Sequence, residues 1–326
     1  MSADSTRGSW RPSAARDVLI AHARMLARIR AFFAERGVLE VETPILSRHG
    51  VTDPALESLC IEPAACGGAR WLQTSPEFPM KRLLAAGSGP IYQICKVFRD
   101  DERGHRHHPE FTLLEWYRPG LSMHELMDEM AELVRRTLDC PDLAEERIGY
   151  RELFRSRLDL DPWSASVESR RAAALRLRVP GAEQLDLDAD GWLDLLLSHC
   201  LEPDLGRDGM TFVYDYPPTQ AALARIRGGA FPVAERFELY ISGMELANGF
   251  QELTDAVEQR RRFEQDLEQR RGRSQTAVPM DVELLAALEA GMPETAGVAL
   301  GLDRLLMVAV GATHIDGVLA FPTERA

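Results

Sequence analysis

Two runs of strand-like residues, separated by a loop dense in charge, dominate the hydrophobic pattern of the chain. Ile91, Gln93, Cys95 and Val97 alternate with Tyr92, Ile94, Lys96 and Phe98, the period of a β-strand. Phe111 to Tyr117 is again rich in aromatic and apolar residues, so the two runs predict a hairpin. Upstream, Leu19, Ala23, Leu26, Ile29 and Phe33 are spaced by three and four. This predicts an amphipathic helix over residues 13–36, with Ser13 as N-cap and Gly37 as its stop. Residues 70–74 predict a strand and 75–86 a short helix ended by Gly87. There, Ser75 at N-cap, Pro76 at N1 and Glu77 in the first turn are ordinary helix-start chemistry. A helix start is also a good place to present polar groups to a ligand.

Ser122 and Glu125 form a capping box that opens a helix to about residue 138. Residues 145–210 are rich in leucine and arginine and broken by Asp-Pro, Val-Pro and Glu-Pro steps. They predict a helical insertion without a catalytic motif. Strands over about 211–216 and 234–243 follow, then a charged helix at 255–271 and a shorter one at 281–290. Strands joined by hairpins and flanked by helices predict an α+β domain built on an antiparallel sheet. Residues 1–12 are expected to be disordered, which leaves 13–326 as a single domain.

Composition narrows the class without naming a function. With 45% apolar and 27% charged residues in 326, the chain has the make-up of a globular protein. No run of about eighteen apolar residues occurs, so no membrane-spanning helix is expected. The polar N-terminus lacks the apolar core of a signal peptide, which favours the cytoplasm. Five cysteines, odd in number and without zinc-type spacing, are expected to be reduced thiols. The net charge of −13 weighs against a broad nucleic-acid footprint. Lys81 and Lys96 are the only lysines among 38 basic residues, but that bias runs through the whole chain and points to no one site.

Chemistry is concentrated in the loop of the hairpin. It carries Arg99, Arg103 and Arg106, the histidines His105, His107 and His108, and the acids Asp100, Asp101, Glu102 and Glu110. Such a loop could hold a polyanion with its arginines and a planar ring against Phe111. A loop of this composition is otherwise a solvated surface. Glu238 and Glu245 are a second candidate pair. A spacing of seven would put them on opposite faces of one strand, so only a turn near Ser242-Gly243 brings them together.

The hairpin resembles motif 2 of the class II aminoacyl-tRNA synthetases: Phe98-Arg99-x-acid, a loop, then Phe111 on the returning strand. Glu35-Arg-Gly-Val-Leu-Glu-Val-Glu-Thr-Pro44 is similar to motif 1. Gly297-Val-Ala-Leu-Gly301-Leu-Asp-Arg304 is similar to motif 3. The segments 74–84, 107–117 and 244–255 resemble the lysine branch of that family. Motif 1 begins near residue 35, which leaves no room before it for the five-stranded anticodon-binding barrel of a lysyl-tRNA synthetase. The match is therefore best to the shortened paralogues of the lysine branch, which Ser75 and Ala299 also fit.

That resemblance implies a ligase that activates lysine, α or β, with ATP and Mg²⁺ as an aminoacyl-adenylate. It would then transfer the aminoacyl group to a lysine of elongation factor P, with tRNA not expected as acceptor. It implies the class II catalytic fold and a homodimer through motif 1. It assigns Arg99 to the α-phosphate and substrate carboxylate, and Arg304 to the γ-phosphate near the amides around Gly301. Phe111 would stack on adenine, with Arg304 over the other face. Asp100, Asp101, His108, Glu245 and Leu246 would complete the ATP site. Asp101 stands where the family has glutamate, with Glu102 beside it, and His108 where it has asparagine. Glu238 and Glu245 would hold Mg²⁺. Ser75, Pro76, Glu77, Tyr117, Asn248 and Glu252 would bind lysine: Glu252 and Tyr117 the side-chain amine, Glu77 the amine nearer the carboxylate, and Asn248 the carboxylate. Charging of tRNA, activation of aspartate by a relative of the same fold, and an inactive regulatory paralogue are the alternatives. The first would need an anticodon module from another chain, the second a cationic pocket in place of Glu252 and Tyr117, and the third usually lacks motif arginines or metal acids.

Overall fold

The computed structural model describes residues 10–100 and 102–326; Asp101 and residues 1–9 of the segment expected to be disordered lie outside the described residues. The chain forms two compact units. Of the described residues, one holds those up to 119, 254–293 and 299–326, and the other 120–253 and 294–298.

In the first unit the helix Arg16–Glu35 buries Met25, Ile29, Phe32 and Phe33. Phe33 stacks on Tyr92 with ring centroids 4.4 Å apart, which fixes the helix against one face of the predicted hairpin. Ala15, not Ser13, is the N-cap, and it supplies no side-chain bond. The backbone N–H groups of Ser13 and Ala14 donate instead to the carbonyls of Ala320 and Leu319. This segment is thus paired with the C-terminal end of the chain, and the helix can begin only after it.

The hairpin strands Ile91–Phe98 and Glu110–Pro119 pair without a break from Ile91↔Tyr117 to Phe98↔Glu110. Leu39–Glu40 runs parallel to the first of them. The short helix is Glu77–Ala85 with Pro76 at the N-cap, one position later than expected for Ser75. Ser75 still serves the helix start, because its hydroxyl accepts the Glu77 N–H at 3.0 Å. The helices Ala256–Gly272, Val282–Gly291 and Leu302–Val310 complete the unit.

The second unit opens with the capping-box helix Met123–Leu138. Where helix was expected from residue 145, Ala144–Gly149 is a strand that pairs in parallel with Gly209–Tyr216. Each unit therefore mixes its strand directions, with a parallel pair here in the second and at Leu39–Glu40 in the first beside the antiparallel hairpins. Residues 144–146 of this strand are exposed, so no apolar alternation marks it. Helices of the insertion, from Tyr150 to Leu196, build an apolar core of Tyr150, Phe154, Trp192 and Leu193 that continues onto Tyr216 and Tyr240 of the strands. Gly209–Tyr216, Val233–Ile241 and Met244–Gln251 then follow as antiparallel neighbours. A Cβ on Gly249 would lie 2.5 Å from the Phe237 ring, so these strands approach this closely only with glycine there. No helix among the described residues is long and apolar enough to cross a membrane.

Candidate active site

Strand parity arranges the candidate residues of the first unit. In Glu110–Pro119, Phe111, Leu113, Glu115 and Tyr117 share one face, while Leu114 and Trp116 enter the core on the other. Arg99 begins the loop. Its Nε donates to the Thr74 carbonyl at 3.3 Å and its Nη1 to Glu102 at 3.3 Å. Its guanidinium carbon lies 5.0 Å from the centroid of Phe111. Glu102 is thus the acid paired with Arg99 among the described residues, and Asp101 lies outside them. The Asp100 N–H donates to the carbonyl of Glu57.

His108 is buried and held on both sides. Its Nε2 accepts from the Thr323 N–H at 3.0 Å, so the ring proton sits on Nδ1 and is donated to the Glu110 carbonyl at 2.6 Å. Burial and the neighbouring Arg304 lower the pKa of His107. Gly301 is the N-cap of the Leu302–Val310 helix. Asp303 in its first turn accepts the Thr112 N–H at 2.6 Å, which docks the helix on the hairpin. Arg304 then donates from Nε to the Arg106 carbonyl at 3.1 Å. The arginines of motifs 2 and 3 are both fixed to the hairpin, through its loop and strand ends.

A buried polar chain runs from Tyr117 to Lys81. The Tyr117 hydroxyl donates to Glu115 Oε1 at 2.6 Å and the Ser75 hydroxyl to Glu115 Oε2 at 2.7 Å. Lys81 Nζ donates to Glu77 Oε1 at 2.6 Å. Glu115 and Lys81 are 2% and 1% exposed. Burial, with Glu77 near, pushes the Glu115 carboxyl up to about 7. Ser75, Glu77 and Tyr117 were expected here; Glu115 and Lys81 were not. Pro76 only starts the helix. Cys95, one strand away from this face, is an inert thiol, pushed up to about 12 by burial and by Glu115.

The second unit carries the other candidates on one hairpin. Ser242 and Gly243 both have positive φ, at 54° and 64°, and join Ile241 to Met244 in a two-residue turn. Tyr240 pairs with Glu245, so Glu245 falls on the face shared by Glu238 and Tyr240. The register then shifts by one, leaving Leu246 over, and Asn248 rather than Ala247 stands opposite Glu238. Leu246 itself is buried. The turn anticipated near Ser242-Gly243 does bring both glutamates to one face.

Glu238 is tightly held there. Its Oε2 accepts from the hydroxyls of Tyr216, at 2.6 Å, and of Tyr240, and its Oε1 accepts from Arg236 Nη2. Burial and Glu238 together raise both tyrosines well above their ordinary values. Arg236 also donates from Nε to Asn248 Oδ1 at 3.2 Å and from Nη1 to the Gln220 carbonyl at 2.9 Å. Glu252 is buried, and its N–H donates to the Thr295 carbonyl at 2.9 Å. Among the described residues no three His, Cys, Asp or Glu side chains cluster as a metal site. Two carboxylates on one face, with oxygen donors only, nevertheless suit Mg²⁺, which takes one or two carboxylates plus phosphates. Three of the roughly four acceptor positions of Glu238 are used, which leaves it room for one further partner.

A family model, tRNA synthetases class II (D, K and N), matches residues 7–325. The chain belongs to this family. As a class II synthetase it is also similar to two curated relatives. An elongation factor P–(R)-β-lysine ligase from Pectobacterium carotovorum subsp. carotovorum is 49% identical over 322 residues, 98% of each chain. A second ligase of the same name, from an Enterobacter species, is 47% identical over 326 residues, 99% of this chain and all of that one. The class II fold expected from the three motifs is thus established. Glu115 and Arg236 were legible as strand neighbours of Tyr117 and Glu238, two residues away in each case.

Proposed function

We propose that this protein activates (R)-β-lysine with ATP and ligates it to a lysine side chain of elongation factor P. The observation that carries the lysine assignment is the Glu115 carboxylate, buried between the Ser75 and Tyr117 hydroxyls beside Glu77. A buried carboxyl of raised pKa ionises fully only when a cation arrives, which suits a substrate with two ammonium groups. The names of both relatives support the β isomer and the acceptor.

In the first step a substrate carboxylate oxygen attacks the α-phosphorus of ATP in line, and pyrophosphate leaves. Arg99 would meet both the attacking carboxylate and the α-phosphate, bringing two anions together and stabilising the charge at phosphorus. Phe111 would support adenine, Arg304 the γ-phosphate, and Asn248 the substrate carboxylate. To reach these ligands Arg99 would leave Glu102 and Phe111 in part. Glu245 and Glu238 would hold Mg²⁺, which would supply charge neutralisation of the phosphates. In the second step the neutral ε-amine of the acceptor lysine attacks the acyl carbon, and AMP leaves.

A homodimer through motif 1 belongs to the same proposal. Leu39, Ile45, Leu46 and Ile61 are exposed apolar residues around that segment. The five free cysteines suit the cytoplasm. The direct test is incubation with ATP, either lysine isomer, and either elongation factor P or tRNA, followed by intact-mass measurement. The mass of one added lysyl residue on elongation factor P is expected, with a greater fraction of the acceptor modified when the β isomer is supplied. Acylated tRNA with unmodified elongation factor P would overturn the proposal.

A further inference from the structure

Arg236 was not among the expected site residues, yet it ties two of them together. Its guanidinium has five N–H groups in a planar fork and no acceptor. The fork is spent on three different partners: Glu238 Oε1, Asn248 Oδ1 at 3.2 Å and the Gln220 carbonyl at 2.9 Å. The guanidinium carbon also lies 4.6 Å from the centroid of the Tyr216 ring. Burial alone would lower the pKa of Arg236, but Glu238, Tyr216 and Glu245 hold it above its ordinary value.

The consequence lies in the amide of Asn248. An asparagine side chain can present either its carbonyl or its NH₂ group in a given direction, and only its partners decide which. A donor-only guanidinium accepts no hydrogen bond, so the Asn248 carbonyl must face Arg236 and the NH₂ group must point away. We propose that Arg236 is a positioning residue that fixes the Asn248 amide so that its NH₂ group meets the carboxylate of the amino-acid substrate. This rests on the function proposed above. Reversed, the amide would set its carbonyl oxygen against a carboxylate and its NH₂ against the guanidinium, two unfavourable contacts in place of two favourable ones. Because the same fork holds Glu238, the metal-side carboxylate and the substrate-side amide are placed by one group. Lysine at position 236 would keep the charge but offer no planar fork, and so separates electrostatics from orientation.

The test is a double-mutant cycle read by lysine-dependent pyrophosphate exchange. Asn248→Ala and Arg236→Lys should each raise the KM for the amino acid about tenfold, with the KM for ATP within about twofold in Asn248→Ala, which leaves Glu238 its guanidinium. In the Asn248→Ala background, Arg236→Lys should raise it no further. Multiplying effects, or an unchanged amino-acid KM in Arg236→Lys, would overturn the inference. A second measurement needs no change at Arg236. In protein labelled with ¹⁵N-asparagine, the Asn248 side-chain NH₂ signal, assigned by its loss in Asn248→Ala, should shift on adding lysine but not 1,5-diaminopentane, which lacks the carboxylate. Equal shifts with both would also overturn it. Wild-type protein without any lysine-dependent exchange would remove the proposed function and this inference together, an outcome distinct from either failure above.

Discussion

Tyr117 donates its hydroxyl proton to Glu115, at 2.6 Å, from two residues further along the same strand face. With Ser75 on the other oxygen, the carboxyl is held from both sides while its charge is disfavoured by burial. Glu115→Gln keeps the shape and both oxygen-side contacts in part, but cannot become an anion. It should lower kcat/KM for lysine by about 2–5 kcal/mol of binding, since a substrate ammonium would lose a buried partner. Steady-state exchange kinetics measure this.

The same group sets a pH dependence. A carboxyl at about 7 is mostly protonated below that pH, so kcat/KM for lysine should climb about tenfold per pH unit up to pH 7 and then level. Glu115→Gln should remove this limb. The effect on stability has the opposite sign. The folded value lies above the ordinary 4.5, so the contribution of Glu115 is fully present below pH 4.5 and is lost as pH rises through about 7. Urea melts of the ligand-free wild type and variant across this range should converge in the difference as predicted.

Tyr216→Phe removes one of three donors to Glu238 without changing the packing of the ring on Tyr150. A hydrogen bond to a charged group is worth about 1.5–3 kcal/mol, and the loss should appear in urea unfolding. A loss below about 0.5 kcal/mol would mean that Tyr240 and Arg236 alone hold the carboxylate.

Gly249→Ala places a methyl group 2.5 Å from the Phe237 ring and 2.9 Å from Val298. Overpacking of this kind costs about 1–3 kcal/mol. Adding Phe237→Leu should recover part of that loss in the same melts, whereas a purely conformational glycine effect would not be rescued.

Arg270 is 1% exposed and donates to Glu57 and to the carbonyls of Asp53, Leu56 and Thr276. The carbonyl of Glu57 in turn accepts the Asp100 N–H. Arg270→Met should cost about 3–5 kcal/mol by leaving a carboxylate and three carbonyls without their donor. It should also raise the KM for ATP more than that for lysine, because the loosened segment borders the nucleotide loop.

What could be seen beforehand followed from how much apolar surface marked each element. The 91–119 hairpin was legible because both strands alternate and the charge between them is concentrated. The Ala144–Gly149 strand was not, because Glu145 and Glu146 are exposed and its order comes from pairing with Gly209–Tyr216. Ser13 has the chemistry of a cap, but a tertiary pairing with residue 320 competes for the same backbone and wins. Of the proposed lysine pocket, only the residues matched by motif were anticipated. Glu115 was overlooked although the period of two that predicted its strand already placed it beside Tyr117. The fork of Arg236 had no sequence signal beyond its position in a strand.

The extra residue at Leu246 works as a frame marker for everything after it. In a regular ladder Ala247 would stand opposite Glu238, and the amide of Asn248 would point to the opposite side of the sheet. Loss of the extra residue itself would leave a regular ladder with Asn248 still opposite Glu238, whereas straightening the bulge without losing a residue would set the Ala247 methyl group there in place of the amide. The interval from Glu245 to the asparagine and the bulge therefore go together: an odd interval keeps the amide on the Glu238 face only where one residue is left over, and an even interval only where none is.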